Sequence, residues 1–283
     1  MQPILARANI MDITAVSRSD LILSGETNPN AVRINSSNGF DAGVIAKYVV
    51  EKLKAKKVAF LTQNDVYGNG FQAAVEAEFK KLNFAGEVTM IEKFAFKDTD
   101  FRVQLTNLKG ANPDAIIVTN SSNSSGLPAV VEQYRQADIK SAFVGALGIM
   151  LTTVFKVAGD ANNGIVSADI FFPDLPPFTS MPASTAFVAA YTKAYGGVAP
   201  DKSAALGAAA VQVWAKAVEA TKSLDRKTVA AAIRGQAVKD TVFGDVQFLP
   251  NGQMQPRYGC SRSSTARMPS SKRSNDRLPR RDP

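Results

Sequence analysis

Between residues 36 and 168 the apolar positions alternate between two spacings. In residues 41–54, Val44, Ile45, Tyr48, Val49 and Leu53 recur at the interval of a helical stripe. Residues 57–62 (KVAFLT) then run apolar without a polar alternation, the pattern of a short strand covered on both faces. The same exchange repeats along the chain. A helix is predicted over 67–82, with Phe71, Val75, Phe79 and Leu82 in phase, then a strand over 88–94. A helix over 101–108 is stopped by Gly110 and Pro113, and a second buried strand covers 114–119 (DAIIVT). Helix 127–137, strand 142–145, helix 151–157 and strand 164–170 complete the series. Strands alternating with helices of this length imply βαβ units and a parallel sheet.

The flanks pattern differently. Residues 1–34 offer a helix end and short strands near 9–14 and 31–35. A proline-rich turn at 173–177 precedes three helices, over 184–195, 203–221 and 226–235, and a strand-like stretch over 241–249. In the second of these helices Trp214 is in phase with Leu206, Ala210 and Val218, which predicts a core position. The expected architecture is α/β with two Rossmann-like lobes. Residues 35–171 form a complete lobe. Residues 1–34 with 172–255 form a lobe whose sheet lacks its opening strands. Crossovers at 32–35, 166–172 and 255–259 make a three-stranded hinge.

Composition removes whole classes of chemistry. The chain has no histidine and one cysteine, Cys260, so Ser-His-Asp and Cys-His nucleophilic sites and histidine metal sites are excluded. No cofactor is implied. No apolar run approaches the ~18 residues of a membrane span, and the start, Met1-Gln2-Pro3-Ile4, lacks a secretory pattern. The net charge of +8 is concentrated at one end: residues 260–283 carry +5 of it, leaving +3 for the rest. Residues 259–283 are expected to be a disordered basic tail, nearly devoid of large apolar residues. No aromatic residue interleaves its arginines, so neither nucleic acid nor direct membrane insertion is expected of it, and an out-of-frame or truncated reading of the gene accounts for the abrupt change of composition.

Several stretches together resemble the periplasmic Leu/Ile/Val-binding family, the type I solute-binding proteins of ABC importers. They are VRINSSNGF at 32–40, VAFLTQNDVYGNG at 58–70, FKDTDFRVQLTNL at 96–108, residues 115–120, FKVAGDANNG at 155–164, and TVFGDVQFLPNGQMQPRY at 241–258. The order and spacing of the pieces carry the resemblance over residues 3–258. It implies a non-enzymatic receptor that closes two lobes on a branched-chain amino acid or a related small carboxylate or amide. Its partner would be the membrane permease of an ABC importer, and its location the periplasm. The resemblance further implies that about three opening βα units, on the order of a hundred residues, precede this segment in family members. The chain is then expected to be a fragment that binds weakly or not at all by itself.

The resemblance also nominates residues. The loop at 14–19 would meet a solute carboxylate through the backbone near Ala15 and the hydroxyl of Ser17, although plain turn hydroxyls would look the same. Tyr67, directly before a helix, matches the aromatic ring that closes over the solute; a packing tyrosine, or a mere cap at Asn64 or Asp65, is the other reading. Asn123 or Ser124, in the polar loop 120–126, would hydrogen-bond a polar solute or cap the next helix. Where amino-acid binders place an acid for the solute's ammonium, this chain has Leu147, so that a charge-assisted hydrogen bond of ~1.5–3 kcal/mol is missing. Two other functions fit parts of the sequence. Gly68-Asn69-Gly70-Phe71-Gln72-Ala73 matches a dinucleotide fingerprint, with Glu92 about twenty residues on, but five residues separate Thr62 from Gly68. A ligand-sensing regulator of the same fold, reading an amide-like solute, is the remaining alternative.

Overall fold

The computed structural model describes residues 1–24, 28–120, 126–146, 154, 157–256 and 259–262. In chain order they form α1 (Gln2–Arg7), β1 (Asp12–Thr14), β2 (Ala31–Arg33), α2 (Asn38–Lys47), β3 (Lys57–Gln63), α3 (Val66–Lys81), β4 (Glu87–Phe94), α4 (Arg102–Gly110), β5 (Ala115–Thr119), α5 (Leu127–Gln136), β6 (Ala142–Gly145) and β7 (Val166–Asp169). Then follow α6 (Pro182–Ala194), α7 (Lys202–Thr221), α8 (Arg226–Ile233), β8 (Ala237–Thr241), β9 (Gly244–Gln247) and β10 (Gly259–Arg262).

β3 to β7 and β10 make one sheet in the order β10-β7-β6-β5-β3-β4, parallel except for β10. The order reverses at β3, which lies between β4 and β5. This is the topological switch point at whose carboxyl ends open α/β sheets bind ligands. The predicted two-sided burial is met residue by residue. In β3, Val58 and Phe60 enter one core with Ile45 and Phe71, while Ala59 and Leu61 enter the other with Leu105 and Val131. β5 divides likewise, Ile117 to the first core and Ile116 and Val118 to the second. Successive side chains of a strand point to opposite faces, so a strand covered on both faces has to be apolar throughout.

The second body comprises the parallel pair β1–β2, helices α6 to α8 and the antiparallel hairpin β8–β9. Its side chains share the first core: Leu206, Val213, Val229, Val242 and Phe248 lie with Ile34, Ile170 and Phe171. The chain passes between the bodies three times, after β2, after β7 and before β10. The first and third passages are stitched together. The Arg33 guanidinium donates to Gln253 Oε1 (2.6 Å) and to the Ser19 carbonyl (2.7 Å). Gln253 Nε2 donates to the Asn35 carbonyl (2.9 Å), and the Met254 amide to the Arg33 carbonyl (2.9 Å).

Several expectations are corrected. Residues 259–262, assigned to the disordered tail, form β10, antiparallel to β7 at the edge of the six-stranded sheet. Pairing with an exposed edge uses backbone groups and asks little of side-chain hydrophobicity. The single strand expected over 241–249 is the end of a hairpin that begins at Ala237 and turns at Val242 and Phe243. The helix expected over 41–54 keeps α-helical bonding only to Lys47 and widens into a π turn over Tyr48–Lys52. Trp214 is 41% exposed: the buried stripe of α7 runs through Ala205, Leu206, Ala209, Val213 and Ala217, one position away from the phase read in the sequence. The helix predicted over 151–157 falls largely outside the described residues.

Candidate functional site

Where the carboxyl end of β3 faces the second body, five polar side chains meet. Arg18 comes from the segment after β1, Asp41 from the first turn of α2, Tyr67 from the first turn of α3, Asp169 from the end of β7, and Lys202 from the first residue of α7. Arg18 Nε lies 3.3 Å from Asp41 Oδ2, and Lys202 Nζ donates to Asp169 Oδ2 at 3.0 Å. The four charged side chains are at most 8% exposed, which charged residues adopt only when paired. The Arg18 guanidinium also acts electrostatically on the Tyr67 phenol.

Local sequence explains how each group is held. Asp65 caps α3, its Oδ1 accepting from the Gly68 amide at 2.7 Å, and its other oxygen accepts from Gln63. This fixes the turn from which Tyr67 projects. A side chain at Gly68 would place Cβ 2.0 Å from the Gln63 carbonyl oxygen, so the close approach of the α3 start to the β3 end requires glycine there. Asn38 Nδ2 donates to the Tyr67 carbonyl at 3.2 Å, tying α2 to the same turn. Ser37 caps α2 through the Phe40 amide and Asp201 caps α7 through the Ala204 amide, which set the helix ends that carry Asp41 and Lys202.

The electrostatics follow from burial and pairing. Burial alone would lower the Arg18 pKa, but the carboxylate of Asp41, with Tyr67 and Asp169, carries it above its ordinary value, so the guanidinium stays charged. Burial raises the Tyr67 phenol and keeps it neutral, against the pull of Arg18. Burial lowers the Lys202 ammonium, the repulsion of Arg18 adds to this, and Asp169 opposes both. Such paired charges hold the elements that carry them against each other around Tyr67. Among the described residues no three His, Cys, Asp or Glu side chains are grouped to hold a metal ion.

Of the residues nominated from sequence, Tyr67 stands inside this group. Ala15 is half-buried and packs against the first core, whereas Ser17 is exposed and its neighbour Arg18 is the buried member of that loop. Asn123, Ser124 and Leu147 lie outside the described residues. The dinucleotide reading fails on geometry: Gly68 and Gly70 are inside α3, not in a turn between β3 and the helix. Asp65 is indeed a cap, as the plain reading had it, and Tyr67 lies in the turn it sets.

Sequence reading missed Arg18, Asp41, Asp169 and Lys202. One local signal existed. A lysine in the first turn of a helix opposes the positive end of the helix dipole, so Lys202 at the start of α7 calls for a nearby acid.

Comparison with known proteins agrees with the geometry. Residues 1–262 match the periplasmic binding protein family. Leu/Ile/Val-binding protein homolog 1 of Brucella abortus is 27% identical over 242 residues, covering 82% of this chain and 62% of the relative. The chain thus spans under two thirds of the length of that curated relative. The leucine-, isoleucine-, valine-, threonine- and alanine-binding protein of Pseudomonas aeruginosa is 27% identical over 214 residues, 75% of this chain and 54% of the relative. A leucine-binding protein of Thermotoga maritima superimposes with a TM-score of 0.81 at 23% identity, covering 93% of this chain and 72% of that one. A solute-binding protein of an ABC transporter from R. palustris, in complex with benzoate, gives 0.82 at 22%, with 93% and 70% covered. The paired α/β bodies, the three passages between them and the match over residues 1–262 together place this chain in the periplasmic binding protein family.

Proposed function

We propose that this chain is the solute-binding component of an ABC importer, acting by binding alone. It would take a branched-chain amino acid or a related small carboxylate or amide between the two bodies, residues 35–171 on one side and residues 1–34 with 172–255 on the other. The observation that carries this reading is the place of Tyr67 just after β3, the switch point of a parallel sheet, beside the seam where the two bodies meet through Arg18 with Asp41 and Lys202 with Asp169. The ligands named for related proteins, leucine, isoleucine and valine on one hand and benzoate on the other, support this solute class. The ring of Tyr67 would cover the solute, and Ala15, Ser17 and Asn123 would offer it hydrogen bonds. The closed form would be recognised by a membrane permease on the periplasmic side, because a solute that binds the closed arrangement better shifts the population toward it.

Calorimetric titration with leucine, valine, a short aliphatic amide and benzoate tests the reading. Saturable binding of one class is expected, weakened at least roughly tenfold by Tyr67→Ala, since removing one aromatic anchor forfeits about 1.5 kcal/mol or more. A folded chain that binds none of the four at millimolar concentration, both as it stands and with opening βα units restored, would overturn it.

A further inference from the structure

The four charges at the seam are sorted by sign. Both cations, Arg18 and Lys202, belong to the body built on β1–β2 and α6–α8. Both acids, Asp41 and Asp169, belong to the body of the six-stranded sheet. Each cation meets an acid of the other body, at 3.3 Å and 3.0 Å, and each of the four is nearly excluded from solvent. The pairs also act on each other: Arg18 is felt by Lys202, and Asp169 by Arg18. Both oxygens of Asp169 are engaged within the protein, Oδ1 by the Ile170 amide at 2.8 Å and Oδ2 by Lys202. Sorted charges of this kind attract when the bodies face each other, and in the arrangement seen each cation lies against a different acid.

We propose that these two pairs are a register for closure: Arg18, Asp41, Asp169 and Lys202 are positioning residues that fix how the bodies meet around the solute, and are not its ligands. The inference rests on the solute-binding reading above. A buried ion pair contributes little net stability, but a buried charge deprived of its partner is strongly unfavourable. The pairs therefore weigh lightly on whether the bodies close and heavily on the alignment in which they do so. They also lie beside the ring assigned to the solute, since the Arg18 guanidinium, 3.3 Å from Asp41, acts on the Tyr67 phenol.

The test separates alignment from contact. Spin labels at exposed Val103 on α4 and exposed Leu224 after α7, with Cys260 replaced by serine, report the distance between the bodies. With leucine, or benzoate where leucine does not bind, the parent chain should give one narrow distance. Asp41→Asn and Asp169→Asn should each broaden it and weaken binding by roughly tenfold. Arg18→Met with Asp41→Leu removes a pair without stranding a charge, so this variant should fold and still show the broadened distance. A distance that stays narrow in all three variants overturns the proposal, whether affinity holds (the pairs are inert) or falls (the residues touch the solute). If the parent binds neither solute, that outcome bears on the solute-binding reading and not on the register. The register then stands or falls on the distances of the unliganded chain, where the parent should remain narrower than each variant.

Discussion

Asp114, at the residue before β5, joins two strand starts with one carboxylate: its Oδ2 accepts from the Lys56 amide at 2.7 Å and the Lys57 amide at 2.9 Å. These bonds lower its pKa from 3.8. A carboxyl lowered in the folded state stabilises fully above its unfolded value and loses that contribution as the pH falls through the folded one. Asp114→Ala should therefore cost about 1–2 kcal/mol at neutral pH, with the difference from the parent chain shrinking below pH 3.8. Urea denaturation at several pH values checks this, and a difference independent of pH would assign the loss to packing. Single residues were also where the sequence was least legible. Tyr67 could be nominated because its place after β3 is defined by local pattern. Arg18 and Asp41 could not, since their burial depends on a partner 23 residues away, and a lone charge in a sequence reads as solvated.

Elements were the most legible scale wherever both faces or one stripe are buried. β3, β5 and β6 begin and end within two residues of the positions given by their apolar runs, and α3 buries Phe71, Val75 and Phe79, three of the four residues whose spacing announced it. Legibility failed where backbone pairing, not side-chain burial, makes the element. β8 exposes Ala237, Lys239 and Asp240, so no apolar run marks its start. β10 was invisible for the same reason, being a sheet edge fixed by its ladder to β7 from Val166 to Asp169. A chain ending at Pro256 should lose roughly 2 kcal/mol of stability from those ladder bonds and expose the β7 edge to a second chain. Thermal melting with sedimentation at increasing concentration would show it; an unchanged melting point and a monomer throughout would mean that β10 contributes nothing.

At the scale of the whole molecule, the α/β fold with its parallel strands was legible from the alternation over residues 36–168, but the polar stitching between the segments after β2 and before β10 was not. Gln253 is 3% exposed and links Arg33 with the carbonyls of Asn35 and Met254. Gln253→Ala leaves those buried groups to find other partners, at an expected cost of about 2–3 kcal/mol, measurable as a lower urea midpoint. A midpoint within error of the parent would show that water replaces the amide. The same contact constrains the order of events during synthesis. Arg33 and Gln253 are 220 residues apart in the chain, and loop closure over such a span is slow relative to the local pairings of β3 to β7. The ribosome delivers β3 to β7 long before it delivers Gln253, so the parallel part of the sheet can form while the opening segment waits, its apolar Met11 and Ile13 uncovered, for the last quarter of the chain to emerge.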